Sequence, residues 1–406
     1  MIPGNDKLAE LRSIGEAYGT PAYVYDARVV ASRISAIRSV LCGIPIRLLY
    51  ALKANALPAL LRVIHEYEIG VDVVSPGELH LALAIGFTDR NVLFSANNMT
   101  DDEMVLAQSS GVLINFGEIT RLEKFGSRFP GSEVSLRINP QYGAGHHEHV
   151  VTAGERSKFG IPLDDLARAR QAAVTHGLSI VGLHQHIGSG NLSLEPYRKA
   201  VPVLFDTARQ FRDIEFVNIG GGFGVAYRPE ESAFNLASLA ALLADESERF
   251  RRDDGRSLEI WMEPGRYLAA EAGVLLIQVN TIKESFGQIF VGTDSGMSHL
   301  VRPAIYGAYH GVVNVSNPDG PERIYNVVGN ICESSDFFAH ERRISEIREG
   351  DFLAVLDAGA YGRSMASEYN LRPLPREVFV DEAGRAELVR EAETPEQLAG
   401  RVLAGK

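Results

Sequence analysis

The chain is poor in cysteine, has no long apolar run and carries no excess of basic residues. Two cysteines, Cys42 and Cys332, in 406 residues cannot build a disulfide framework or a cysteine-lined zinc centre, and they suit a reducing, cytoplasmic compartment. No stretch approaches the roughly 20 apolar residues that span a bilayer, and the opening MIPGNDKLAELRSIGEAYG lacks the basic-then-apolar order of an export signal, so no membrane partner is expected. Lys and Arg number 40 against 52 Asp and Glu, a formal charge of −12. Neither sign gathers into a tail, which argues against nucleic acid as a partner.

What is present is a globular composition, 45% hydrophobic and 23% charged, in a chain long enough for two cores. Eight β-rich runs alternate with amphipathic segments: IRLLYAL (46–52), VDVV (71–74), NVLFS (91–95), VLIN (112–115), EVSLRI (133–138), IVGLH (180–184), EFVNI (215–219) and LEIWM (258–262). Helical spacing and entry signals lie between them, as in Pro58–Ile64 and in Leu79–Ala84 after Ser75-Pro76-Gly77-Glu78. This α/β alternation predicts a (β/α)8 TIM barrel over residues 25–270, with a doubly wound open sheet as the alternative. Beyond it, GVLLIQVNTI, QIFVGTD, RIYNVVG, DFLAVLDA and REVFVDE follow with few helical periods. They predict a β-sandwich or barrel-like second domain over 271–406 that also takes in residues 1–24.

In a parallel barrel the chemistry gathers at the C-terminal ends of the strands. Lys53 directly follows LLYAL, where desolvation would lower the amine's pKa and make it nucleophilic enough for Schiff-base chemistry; a solitary strand-end lysine ordinarily snorkels to water. The turn Asn218-Ile219-Gly220-Gly221-Gly222-Phe223-Gly224 would let backbone N–H groups reach one phosphate, while the dinucleotide spacing is not clearly met, which disfavours a nicotinamide cofactor. His184-Gln185-His186-Ile187-Gly188-Ser189-Gly190 offers a hydroxyl for phosphate oxygens and an imidazole able to stack on a flat ring. The competing reading is a metal pair; the two imidazoles are expected to diverge, and no metal is expected. Met262-Glu263-Pro264-Gly265-Arg266 brings a carboxylate that can keep a pyridine nitrogen protonated, or else a surface ion pair. The GHHEHVV segment (145–151) reads as a loop that could cover the site.

Together these motifs resemble the fold-type III, alanine-racemase-like decarboxylases that use pyridoxal 5'-phosphate, and within them the bacterial diaminopimelate decarboxylase family. The resemblance runs through YGTPAYVYD (18–26), YALKAN (50–55), VDVVSPGEL (71–79), RINP (137–140), SKFGI (157–161), HQHIGSG, GGGFG and EPGR. It continues in DSGM (294–297), RPAIYGAYH (302–310), CESSD (332–336) and DAGAYGRSMASEYNLRP (357–373). It implies that Lys53 is the Schiff-base lysine, His186 the ring-stacking imidazole and Glu263 the partner of the pyridinium nitrogen, with Asp72 near the cofactor. Ser189, the amides of Gly221, Gly222 and Gly224, and Gly265 with Arg266 would surround the phosphate, joined by Tyr361. It also implies a homodimer in which Cys332 arrives from the neighbouring subunit as a proton donor. Arg302, Tyr306 and Arg266 would bind a distal carboxylate, with Tyr361 also lining the substrate and Glu333 holding the distal ammonium.

Charge matching then selects the substrate. Two arginines close together need an anion between them, and an ammonium in that place would leave a buried mismatch costing about 2–5 kcal/mol. The expected reaction is decarboxylation of meso-2,6-diaminopimelate to L-lysine. Two alternatives stand beside it: a related decarboxylase of another carboxylate-bearing amino acid, and a non-catalytic pyridoxal-phosphate-binding protein. The chain departs from the family pattern in GNICESSD, HIGSG and SMASEYNLRP, where Glu368 adds a negative charge expected near Tyr361.

Overall fold

The computed structural model describes residues 4–143, 152–154 and 157–404; the GHHEHVV segment lies outside them. The chain divides into two compact units, one made of Arg33–Val225 and Ser232–Tyr267, the other of the chain up to Ser32, Ala226–Glu231 and the chain from Leu268 onward.

The first unit is a closed parallel barrel. Its eight strands are Ile46–Ala51, Gly70–Val73, Val92–Phe94, Leu113–Phe116, Glu133–Asn139, Ser179–His184, Phe216–Asn218 and Glu259–Met262. Each pairs with the next, and the eighth closes on the first through Ile260↔Ile46 and Met262↔Leu48. Closure rules out the open sheet, since none of these eight strands is left at an edge. The connecting helices carry their signals in the sequence. Thr100 and Glu103 form a reciprocal capping box at Asp101–Ser109, and Pro58 sits in the first turn of Pro58–Glu66, whose Leu60, Leu61, Val63 and Ile64 are buried.

Register dictates what the barrel interior holds. Partnered residues of parallel strands face the same side, as do residues two apart on one strand. Trp261 pairs with Asn218, Asn218 with His184 and His184 with Arg137. Phe216, two residues before Asn218, stacks on Trp261 with ring centroids 3.7 Å apart, and both pack with Leu49, Leu93, Leu113 and Val181. The lower interior is therefore a dry plug. Towards the C-terminal ends the positions in step with this interior face are polar: Asp72, Ser95, Asn115, Arg137, His184, Asn218 and Glu263, with Lys53 on the turn that follows its strand. An apolar layer thus supports a polar one at the C-terminal ends of the strands.

The second unit is built on a nine-stranded mixed sheet. Its spine is the 13-residue strand Gly273–Ser285, which pairs with Ala22–Asp26 and Phe352–Val355 along its first half and with Gln288–Thr293 along its second. The helix Asn5–Tyr18 buries Leu8, Leu11 and Ile14, three residues apart, in a core with Val24, Leu276, Ala354, Leu356, Val378 and Val380. Ala22–Asp26 belongs to this sheet, pairing also with Arg376–Val380. A division at residue 24 therefore falls inside a strand: Tyr23 and Tyr25, both wholly buried, hold it in the sheet. Among the described residues no helix is long and apolar enough to cross a membrane.

Candidate active site

In the barrel unit, Lys53 sits on a single turn, Leu52–Ala54, directly after its strand. Its ammonium is hydrogen-bonded to Asp72, itself 1% exposed and paired in register to Ala51. Burial and the nearby Glu263 push the Asp72 carboxyl up, while Lys53 pulls it down. Among the described residues Asp72 Oδ1 has no hydrogen-bond partner.

Glu263 lies in the same polar layer. One carboxylate oxygen accepts from Asn218 Nδ2 at 2.7 Å, and His184 Nε2 lies 3.2 Å from the other. Burial pushes this carboxyl up, but His184, Lys53 and His186 outweigh burial and hold it at about 2. Arg137, 8% exposed, adds a guanidinium stacked 4.7 Å over the Phe159 ring; burial lowers its pKa, and Glu263, Asp72 and Glu118 counter that. Acid and base are thus packed into one layer, with the carboxylate ionised.

His184 and His186 have separate partners. Residues two apart on an extended strand share a face, so strand alternation does not part them; the strand ends at His184. His186 Nδ1 instead accepts from the Gly221 amide at 3.2 Å, which puts the ring proton on Nε2. Burial, with Arg137 next, depresses its pKa to about 3, so the ring is neutral at any working pH.

Two glycine loops are stitched together by backbone. The Asn191 amide donates to Gly222 O at 2.9 Å, and the Gly224 amide donates to Asn191 O at 2.8 Å. A Cβ on Gly221 would stand 2.1 Å from Glu263 O, and one on Gly222 2.2 Å from Gly188 O, so no other residue lets these loops meet. Tyr197, stacked on Phe223, donates its hydroxyl proton to Gly221 O at 3.0 Å. Gly265 follows Glu263 and abuts Ala51 and Ala54; next to it, Arg266 Nη2 donates to Ser189 Oγ at 3.1 Å. A guanidinium and a hydroxyl beside glycine-lined backbone form a donor set for one phosphate monoester. With the Lys53 amine and the ionised Glu263, this donor set fits pyridoxal phosphate.

In the β unit, Arg302 and Tyr306 lie on one turn, Arg302–Tyr306, closed by Gly307 in the left-handed region. Cys332 and Glu333 are exposed; the Cys332 amide donates to Asn370 Oδ1 at 3.1 Å and Glu333 accepts from the Tyr369 hydroxyl at 2.5 Å. Tyr361 is held at φ +57°, an unfavourable backbone for a bulky residue and one that clusters at functional sites. Glu368 is paired with Arg401 of the C-terminal helix Pro395–Ala404, so that family departure comes with its own counter-charge.

Some supporting residues escape sequence reasoning. Asn218 reads as the lead-in to a glycine turn and His184 as half of a metal pair; their shared role beside Glu263 follows from stepping back in twos along each strand. Asp336 reads as a charge beside Cys332, yet its carboxylate is buried and accepts the amides of Met297 at 2.6 Å and Ile331 at 2.7 Å. It clamps the DSGM turn to the loop that carries Cys332.

Comparison with known proteins identifies the family of the chain. Residues 27–270 match the family model described as pyridoxal-dependent decarboxylase, pyridoxal binding domain. The chain is 41% identical to a diaminopimelate decarboxylase of Methanothermobacter thermautotrophicus, over 97% of this chain and 93% of that protein. It is 36% identical to one of Aquifex aeolicus, over 94% and 91%. It superposes with a TM-score of 0.90 on a crystal structure of Helicobacter pylori diaminopimelate decarboxylase complexed with L-lysine, at 30% identity over 97% of this chain and all of that one.

Proposed function

Since this chain belongs to the diaminopimelate decarboxylase family of pyridoxal-dependent enzymes, we propose that it converts meso-2,6-diaminopimelate to L-lysine and CO2. The observation that carries the reading is the polar layer itself, in which a lysine paired to a buried aspartate shares one barrel mouth with a carboxylate held at about 2. Pyridoxal phosphate, when bound, supplies the electron sink for the bond that breaks.

The chain's own residues do the rest. Lys53 would hold the cofactor through its amine, which Asp72 keeps in place. Glu263, held ionised and oriented by Asn218 and His184, would be the carboxylate that favours a protonated pyridine nitrogen. Neutral His186 would offer its ring face to the cofactor without adding charge. Ser189, Arg266, Gly265 and the amides of Gly221, Gly222 and Gly224 take the phosphate, with the Tyr361 hydroxyl. At the substrate's far end Arg302, Tyr306 and Arg266 bind the carboxylate, beside Tyr361, and Glu333 the ammonium. Cys332 delivers a proton to Cα after CO2 leaves.

A substrate panel tests the reading. We expect CO2 release from meso-diaminopimelate and little from lysine or ornithine, and Arg302→Ala should raise KM for the former by about 100-fold, as for a charge left without its partner. Equal turnover of ornithine would remove the distal-carboxylate argument.

The exposure of Cys332 and Glu333 supports a homodimer in which one subunit's loop completes the other's site. A purified hybrid of one Lys53→Ala and one Cys332→Ala subunit should then keep one intact site and about half the activity, by simple counting of shared sites. An inactive hybrid would mean that Cys332 serves its own subunit.

A further inference from the structure

Building on the reading of Arg302 as the residue that takes the distal carboxylate, we propose that His310, with Tyr227, positions its guanidinium, and that His310 does so as a neutral imidazole carrying its proton on Nδ1.

The proton's place follows from two contacts. His310 Nδ1 lies 2.7 Å from Leu356 O, and a carbonyl oxygen only accepts, so Nδ1 bears the hydrogen. Nε2 lies 3.0 Å from Arg302 Nη1, and a guanidinium nitrogen only donates, so Nε2 offers its lone pair. A second acceptor, the Tyr227 hydroxyl, is 3.0 Å from the same Nη1. The two hydrogens of Nη1 therefore meet one acceptor each, which fixes the plane of the group. Packing reinforces this: the guanidinium carbon is 4.7 Å above the Tyr227 ring, and that ring meets His310 edge-on at 5.3 Å and 72°. Arg302 is 1% and His310 0% exposed, so neither side chain has room to turn.

The choice of acceptor matters for specificity. A carboxylate in place of the imidazole would orient Arg302 equally well, but it would also neutralise it and compete with the incoming anion. A neutral imidazole and a phenol hold the fork still without themselves adding a negative charge beside it. Arg342 adds to the positive field: its Nη1 donates to His310 O at 3.3 Å, and its guanidinium lies 3.7 Å over the Tyr309 ring.

The test is a double-mutant cycle on the cofactor-loaded enzyme. His310→Phe keeps a ring but removes both nitrogens, and it should raise KM for meso-diaminopimelate about 10-fold while kcat stays within about 2-fold, the signature of lost uniform binding. His310→Gln, whose amide both donates and accepts, should recover most of that loss. Added to Arg302→Ala, His310→Phe should change nothing further, because residues acting through one another are not additive. Tyr227→Phe, which loses only the hydroxyl, runs the same cycle if the core substitution does not fold, with the same expectation. The proposal is overturned if Arg302→Ala raises KM while His310→Phe and Tyr227→Phe do not, or if their effects multiply with that of Arg302→Ala. A KM untouched by Arg302→Ala itself would instead bring down the distal-carboxylate reading and the positioning role with it.

Discussion

Lys53→Ala should abolish decarboxylation, with a fall in kcat of about 10³-fold or more, because on the proposed reading the group lost is the nucleophile that would hold the cofactor. The cofactor's absorbance band should no longer respond to borohydride, and the peptide containing Lys53 should gain no mass on reduction. Lys53→Arg separates charge from chemistry: it can retain the ion pair with Asp72, but a guanidinium is not nucleophilic at any accessible pH. It should be as inactive as the alanine variant and more stable. The stability difference has a defined pH sense. Burial and Glu263 already push the Asp72 carboxyl up, and Lys53 is its largest counterweight. Without Lys53 the aspartate takes up a proton on folding, so the alanine variant should lose stability as pH rises through that raised pKa, which denaturant titration at several pH values would read. Decarboxylation by the arginine variant would show that another residue carries the cofactor.

How much of this was legible beforehand depends on where each partner lies in the chain. The eight barrel strands could be read because each is a short apolar run between helix-like segments, and Lys53, Ser189, Gly221 and Glu263 because they stand just past strand ends. The polar layer was half legible. Ser95, Asn115, Arg137 and Asn218 look like the tails of apolar runs until the register aligns Arg137 and Asn218 with His184 and the period of two sets Ser95, Asn115 and Glu263 beyond the buried Leu93, Leu113 and Trp261. The strand Ala22–Asp26 was harder to assign, since an apolar run does not say which sheet it joins; its partners lie about 250 and 350 residues away. Asp336 and His310 could not be read at all, because what they bind is backbone carbonyl and amide, or a guanidinium, brought near by the sheet of the β unit. Contacts to backbone distant in the chain leave no pattern in residue identity.

Glu263→Gln should lower kcat/KM by about 10²- to 10³-fold, the scale for removing one preorganised electrostatic group, while the cofactor remains covalently attached. Glutamine keeps the size and can still accept from Asn218, whose Nδ2 is 2.7 Å from Oε1, so packing is conserved and the change is one of charge. A neutral amide cannot favour a protonated pyridine nitrogen, and the loss should therefore fall on the bond-breaking step, visible as a reduced kcat in single-turnover measurements. Two accompanying effects distinguish this from general damage. Glu263 raises the pKa of Asp72, so its neutralisation should lower the pKa of that neighbour. The wild-type carboxyl is held at about 2, below its unfolded value, so it stabilises the fold above the ordinary carboxylate range and that contribution fades as pH falls towards 2. The stability gap between wild type and Glu263→Gln should accordingly be widest near neutrality and shrink on acidification. Wild-type activity should show no titration of Glu263 or of His186, held at about 3, anywhere between about pH 5 and 9. A Glu263→Gln enzyme with unaltered kcat would mean that the pyridine nitrogen does not depend on this carboxylate.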